Sequence, residues 1–259
     1  MAKLKVLIYD TNNYARIKAE QSWDNSWIRS LCEEACKPDN CLRIYVFDGR
    51  YGNEYRKKFY PEYKATRKAP LIDTFFCNLE FFEELLQFAP QKTVSIRVNG
   101  FEADDIIADL CKRFENPTIL TTDKDLLAIP NADLPMCNNE WEDREFIQSR
   151  KIFVGDTSDN IKGIAGFGEG AWKKLSTVTK TKIKEWIENL SDSLKNEIVE
   201  LVKLECGTRA SNALLNTSKE EVEILKKIIQ FRDDVPELYF KWGNGDSNKL
   251  EEKSKENLL

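Results

Sequence analysis

The hydrophobic positions in the first half of the chain change period repeatedly. Lys5 to Asp10, KVLIYD, is a strand-like apolar run that ends on an aspartate. Ile28, Leu31, Cys32 and Ala35 then follow helical spacing, and Leu42 to Gly49, LRIYVFDG, returns to strand character. The alternation continues with a helix around Phe75, Leu79, Phe82 and Leu86 and a short strand at Val94 to Val98. A helix carrying Ile106, Ile107, Leu110, Cys111 and Phe114 precedes a last strand at Thr118 to Asp123, TILTTD. This rhythm predicts an α/β fold with a mostly parallel central sheet flanked by helices. After about Phe146 only helical periodicity remains, in Ile183, Trp186, Ile187 and Leu190, in Ile198, Leu201 and Val202, and in Val222, Leu225, Ile228 and Ile229. The expected organisation is an α/β core over 1–150 with a basic segment near 50–88, a helical region over 151–243, and a polar, disordered tail over 244–259. No internal repeat is visible.

With 259 residues, 41% of them hydrophobic, the chain can bury a substantial core. No run approaches the ~18 apolar residues of a membrane span, and the start MAKLKVLIYD has no signal-peptide pattern. A cytoplasmic protein that does not contact membranes is expected, in a bacterial cell or phage-infected host. The seven cysteines form no CxxC pair, which favours ordinary reduced thiols over a zinc site. The absence of histidine narrows the chemistry most. It removes Ser-His-Asp triads, Cys-His nucleophiles and His-liganded zinc, leaving carboxylates, lysines, tyrosines and bound metals.

The segment GFEADD puts Glu102, Asp104 and Asp105 directly before the apolar run IIADL. Like charges about 4 Å apart repel by ~4 kcal/mol at a protein surface, and a helix dipole returns only ~0.3–1 kcal/mol per charge. A bound cation would offset the remainder. Asp10 and Asp48 end the first two strands, and Asp123 and Asp125 follow the fourth. In a parallel sheet these ends lie along one edge, where ligand crevices form. A single strand-end Asp is commonly a helix N-cap, but so many hard oxygen donors on one edge indicate Mg²⁺, with Mn²⁺ as its substitute.

In VGDTSDNIKGIAGFGEG, Asp156 and Asp159 would share a face if the segment were helical. The glycines that follow, Gly163, Gly166, Gly168 and Gly170, would expose backbone amides and carbonyls in a turn suited to gripping a phosphate backbone. Arg50 to Pro70 holds seven Lys or Arg, including Arg56, Lys57, Lys58 and Lys68, and Ile161 to Lys184 holds six lysines, including Lys162, Lys173 and Lys174. The formal net charge is −5, which becomes +4 when the nine candidate site carboxylates are set aside. The acidity is therefore concentrated where metals would neutralise it.

These motifs resemble the 5′ nuclease family of flap endonucleases and 5′ to 3′ exonucleases. GFEADDIIADL, TTDKDLLAI and VGDTSDNIKGIAGFGEG occur in the family's order, accompanied by YDTNNY, FDG and FYPEYKATRKAP. The chain is most similar to the family's stand-alone bacteriophage-type enzymes. The resemblance implies a PIN-like nuclease core, a helix-hairpin-helix-like DNA-binding element, and two-metal hydrolysis of phosphodiesters near single-strand to duplex junctions. It also implies a first metal site of Asp10, Asp48, Glu102 and Asp104, and a second formed or supported by Asp105, Asp123, Asp125, Asp156 and Asp159. Lys64 and Arg67 match basic residues that face the scissile phosphate at the base of a helical arch, and K⁺ is expected at the hairpin. The implied partners are branched, 5′-flap, nicked or 5′-ended duplex DNA, RNA/DNA hybrid in primer removal, and replication proteins, with the enzyme acting as a monomer.

Three positions depart from the family pattern: Thr11 replaces a glycine, Trp172 replaces a small hairpin residue, and the interval from Lys64 to Glu102 is short. Tyr14 is a candidate for stacking on a base near the cut, with a buried core position as the competing expectation. A PIN-type ribonuclease would share the strand-end acids but lack Asp156, Asp159 and the hairpin. An aspartyl phosphatase would want a second Asp where Asn12 stands. A non-catalytic binder of branched DNA would gain nothing from carboxylates facing phosphates.

Overall fold

The computed structural model describes residues 4–22, 24–67, 74–137 and 143–256 and divides the chain into two compact units. The first comprises 1–52, 68–139 and 233–259, and the second 53–67 and 140–232.

The first unit is built on a five-stranded sheet ordered β4-β1-β2-β3-β7. Strands β1 (Lys5–Asp10), β2 (Cys41–Phe47), β3 (Thr93–Arg97) and β4 (Thr118–Leu120) are parallel. β7 (Lys241–Trp242) adds an antiparallel edge beside Val94 and Ser95. The order steps outward from β1 through β2 to β3 and then returns to β4 on the other side. The reversal puts a topological switch at the carboxyl ends of β1 and β4, where crevices open in such sheets. Helices α1 (Thr11–Glu20), α2 (Ser26–Ala35) and α4 (Phe75–Leu85) bury Ala15, Ile28, Leu31, Leu79 and Phe82 in one core with Tyr9, Tyr45 and Phe47. α5 (Ala103–Cys111) buries Ile106, Ile107 and Leu110.

The second unit is mainly helical, with α3 (Glu54–Phe59), α6 (Ile147–Val154), α7 (Glu169–Trp172), α8 (Thr177–Asn189), α9 (Asp192–Cys206), α10 (Thr208–Asn216) and α11 (Lys219–Ile229). Its core gathers Tyr63, Phe153, Trp172, Trp186, Ile198, Val202, Leu225 and Ile228. Among the described residues no helix is long and apolar enough to cross a membrane.

Three expectations change. Strands do not stop at Phe146, because β5 (Gly155–Asp156) and β6 (Ile161–Lys162) form a short antiparallel hairpin and β7 returns to the sheet. The tail expected to be disordered contains α12 (Ser247–Glu256), whose Leu250 is 2% exposed in the first unit's core. One apolar anchor in a polar segment was too little signal to predict it. The boundary expected near 150 is also not a single cut. Residues 53–67 pack with the second unit, where Tyr63 joins the core, whereas α4 packs with the first.

Candidate active site

Asp10 is the last residue of β1 and the N-cap of α1. Its Oδ1 accepts the Asn13 backbone N–H at 3.5 Å, and its Oδ2 accepts the Thr121 hydroxyl at 2.8 Å. Asp48 follows β2, and its Oδ1 accepts the Ala103 backbone N–H at 2.8 Å, so it caps α5 from a different strand. Glu102, buried, is the residue preceding α5, and Asp104 and Asp105 lie in its first turn, with Asp105 fully buried. Asp123 begins the 3₁₀ turn Lys124–Ala128, and its Oδ1 accepts the Asp125 backbone N–H at 2.9 Å. The FDG glycine is needed for this arrangement. A Cβ on Gly49 would stand 1.8 Å from the Val98 carbonyl oxygen and 2.9 Å from that of Phe101, so only glycine lets the segment leading to Glu102 pass.

The acids that follow the two strands beside β1 act on Asp10, as the sheet order predicts. Burial, followed by the negative charges of Asp48 and Asp123, pushes the Asp10 carboxyl from 3.8 up to about 7. The Thr121 hydroxyl and the Asn13 amide oppose this shift and are outweighed. Carboxylates crowded at a buried edge, with oxygen as the donor type throughout, fit a hard divalent cation.

Sequence reasoning missed the residues that hold these acids. Asn12 Oδ1 accepts the Asp48 backbone N–H at 3.2 Å, and Asn13 Oδ1 accepts the Thr122 backbone N–H at 2.9 Å. The Asn pair therefore ties the start of α1 to the ends of β2 and β4. A short amide side chain after a strand-end Asp was the available signal. Thr11 is 1% exposed and donates its hydroxyl to the Tyr9 carbonyl at 3.3 Å, so it fills the position as packed structure.

In the second unit Asp156 and Asp159 do not share a helical face. They flank the turn between β5 and β6, because Asp156 Oδ1 takes the Ser158 N–H at 2.8 Å and the Ser158 hydroxyl at 2.6 Å, and this local bonding competes with a helix. Burial tends to raise the Asp156 carboxyl, but Lys151 Nζ at 2.5 Å and Ser158 override it and hold it below the usual range. Asp159, also buried, accepts Arg67 Nε at 3.1 Å and Nη2 at 2.5 Å, and its carbonyl accepts the Lys64 N–H at 2.9 Å. Lys64 has φ 57 and holds its ammonium 4.9 Å from the Tyr63 ring centre. Gly163 is structural rather than free to grip a ligand, since a Cβ there would stand 2.3 Å from the Gly155 nitrogen. Gly166 and Gly168 are exposed and, with Gly170, Lys174 and Arg209, line a cavity of about 420 Å³. Lys57, Lys58, Lys162, Lys173 and Lys174 are exposed.

Two candidate DNA contacts are corrected. Tyr14 is 7% exposed, packs edge-on against Tyr9 at 5.3 Å, and donates its hydroxyl to Glu34 at 2.7 Å. Buried this way, it has no ring face to offer a base. Arg56 is 3% exposed and donates Nε to the Ile228 carbonyl at 2.8 Å, closing the last turn of α11. The run of basic residues concealed one that faces inward. Trp172, 2% exposed, fills the second core against Phe153 at 5.9 Å. Lys68 lies outside the described residues.

Residues 25–154 match the family described as 5′-3′ exonuclease, N-terminal resolvase-like domain. DNA polymerase I of Caldicellulosiruptor bescii is 32% identical over 221 residues, covering 76% of this chain and 25% of that protein. A 5′-3′ exonuclease of Mycoplasmopsis pulmonis is 29% identical over 217 residues, covering 77% of this chain and 67% of that protein. The chain spans about a quarter of the length of the polymerase relatives it matches. The T5 D15 protein, co-crystallised with metal ions, shares the fold at a TM-score of 0.59 and 19% identity, over 97% of this chain and 98% of that one. T5 5′-exonuclease with bound zinc superposes at 0.55 and 19%, over 98% of this chain and 100% of that one.

Proposed function

Because this chain belongs to the 5′-3′ exonuclease family, we propose that it hydrolyses DNA phosphodiesters near single-strand to duplex junctions that carry a 5′ end, as a 5′ to 3′ exonuclease and flap endonuclease. The observation that carries the reading is the placement of Asp10, Asp48 and Asp123 at neighbouring strand ends of the first unit, where burial and the charges of the other two raise the Asp10 carboxyl. Asp10, Asp48, Glu102 and Asp104 would hold one divalent cation, with Asp105, Asp123 and Asp125 supporting a second. Bound Mg²⁺ or Mn²⁺ supplies an activated water and neutralises developing phosphate charge. The chain's own contribution is to hold the acids in fixed positions. Asn12 and Ala103 hold Asp48, while Thr121 and Asn13 hold Asp10, so little reorganisation is needed when the substrate arrives. Lys64 and Arg67 would donate to the scissile phosphate. Lys57, Lys58, Lys162, Lys173 and Lys174 would meet duplex phosphates without reading sequence. RNA/DNA hybrid at a primer terminus is a further substrate of the same chemistry, and primer or flap removal in replication is the expected role.

A labelled 5′-flap duplex incubated with and without Mg²⁺ tests this reading. Cleavage at the junction is expected only with the ion, and Asp123→Asn should lose cleavage while keeping junction binding. A folded Asp123→Asn protein that cuts at the wild-type rate would remove the strand-end acids from the mechanism.

A further inference from the structure

Asp48 is also held from behind, by a residue outside the acidic cluster. Arg97, the last residue of β3, pairs with Phe47 in the β2–β3 register and reaches past it, so that Nη1 donates to the Asp48 carbonyl at 2.5 Å. Its other edge is clamped by Glu83 of α4, with Nε at 2.8 Å and Nη2 at 2.7 Å from Oε2. The guanidinium lies 5.1 Å from the Phe47 ring centre. Glu83 is 13% exposed and Arg97 is 20% exposed, so water screens the pair only weakly. The Asp48 N–H is bound by Asn12 and its Oδ1 by Ala103, so with Arg97 on its carbonyl both backbone groups and one carboxylate oxygen of Asp48 have fixed partners.

We propose that Arg97 is a positioning residue for the cation site, with Glu83 setting the guanidinium and the guanidinium setting the backbone of Asp48. The inference rests on the reading of Asp48 as a metal ligand. The role suits Arg because a planar fork can bond a carboxylate and a carbonyl at once, which a lysine ammonium does with less directional control. Outer partners that fix a ligand typically change metal affinity about 10- to 100-fold when removed.

Charge and position predict opposite signs, which makes the proposal testable. If Arg97 mattered only as a nearby positive charge, removing it would leave Glu83 uncompensated and tighten cation binding. As a positioning residue, its removal loosens Asp48 and weakens binding. The test is a direct Mn²⁺ titration by electron paramagnetic resonance, without DNA, on the wild-type protein and on Arg97→Met, Arg97→Lys, Arg97→Met with Glu83→Gln, and Lys241→Met. The double variant removes both charges, so it leaves no buried unpaired ion to unfold the protein. Lys241 shares a surface cavity with Glu83 and Arg97 and lies 3.6 Å from Glu83 but is 72% exposed, which makes its substitution the control. The expected result is Mn²⁺ binding weakened about 10- to 100-fold in the double variant and in Arg97→Met, part of it recovered in Arg97→Lys, and no change in Lys241→Met. A double variant that binds Mn²⁺ as the wild type does, or an Arg97→Met protein that binds more tightly, overturns the positioning role. If Asp48→Asn also binds Mn²⁺ like the wild type, the ligand reading fails and this inference falls with it.

Discussion

Replacing Asp10 with Asn should stabilise the metal-free protein while removing cleavage. In the folded chain the Asp10 carboxyl titrates at about 7 instead of 3.8, through burial and the charges of Asp48 and Asp123. A carboxyl raised in this way binds its proton more tightly folded than unfolded. The associated stability is complete below pH 3.8, declines through the interval and is lost above about 7. Roughly three pK units correspond to about 4 kcal/mol, an upper bound that combines the cost of burying the charge with the repulsion Asp10 shares with its neighbours. Asn keeps the N-cap through Oδ1, being as good a cap as Asp, and its amide N–H in the place of Oδ2 can donate to the Thr121 hydroxyl. In EDTA at pH 8, Asp10→Asn should be more stable than wild type by about 2–4 kcal/mol in urea unfolding, and by only about 1 kcal/mol at pH 4.5. Adding Mg²⁺ should stabilise the wild type more than the variant, which loses a ligand of one of the two ions, because an ion that binds only the folded state adds its binding free energy. Equal stability at pH 8, or a gap that does not change with pH, would refute the electrostatic account of the cluster.

Lys64→Ala should lower the single-turnover rate on a 5′-flap substrate by ~10²- to 10³-fold at saturating enzyme with little change in affinity, and a rate within about threefold of wild type would remove Lys64 from the chemistry. Arg56→Ala leaves the Ile228 carbonyl without its buried donor and should cost about 1–3 kcal/mol in urea unfolding, with the cut position unchanged. Lys173→Ala combined with Lys174→Ala should weaken duplex binding for all sequences alike and reduce the salt slope by about one unit per contact, and an unchanged slope in a titration of binding against salt would place the duplex elsewhere.

The parts of the fold that were legible in the sequence were those carried by a regular period. Strand-end acids could be read because a parallel sheet turns the end of every strand toward one edge, so Asp10, Asp48 and Asp123 were placed without knowledge of the loops between them. What was not legible depends on a single side chain's direction or on contacts distant in sequence. Arg56 looked like its neighbours Lys57 and Lys58, yet it points at a carbonyl 172 positions away. Tyr14 is committed to Glu34 across 20 positions, and the spacing of a short helix does not show which face will meet a later one. The three-residue spacing of Asp156 and Asp159 also fits a helix, so spacing alone leaves the turn after Asp156 open. The bonds from Ser158 to Asp156 decide it, and such bonds are made by residue types that suit both states.

The acids of the first unit also remove the opposition between cap and ligand that a sequence reading has to pose. A carboxylate has about four lone-pair positions, and a cap uses one of them. Asp10 caps α1, Asp48 caps α5 from a neighbouring strand, and Asp123 caps a 3₁₀ turn, each through Oδ1. Their second oxygens are not needed for these caps, although Asp10 Oδ2 also takes the Thr121 hydroxyl. The caps hold the carboxyl groups at the strand ends before any cation arrives, and burial together with the crowding that results is what raises Asp10. Asn can replace Asp as a cap but not as an anionic ligand. The Asp→Asn variants should therefore fold with their helix starts intact and differ from wild type in charge alone, which is why stability without metal and cleavage with metal are expected to move in opposite directions.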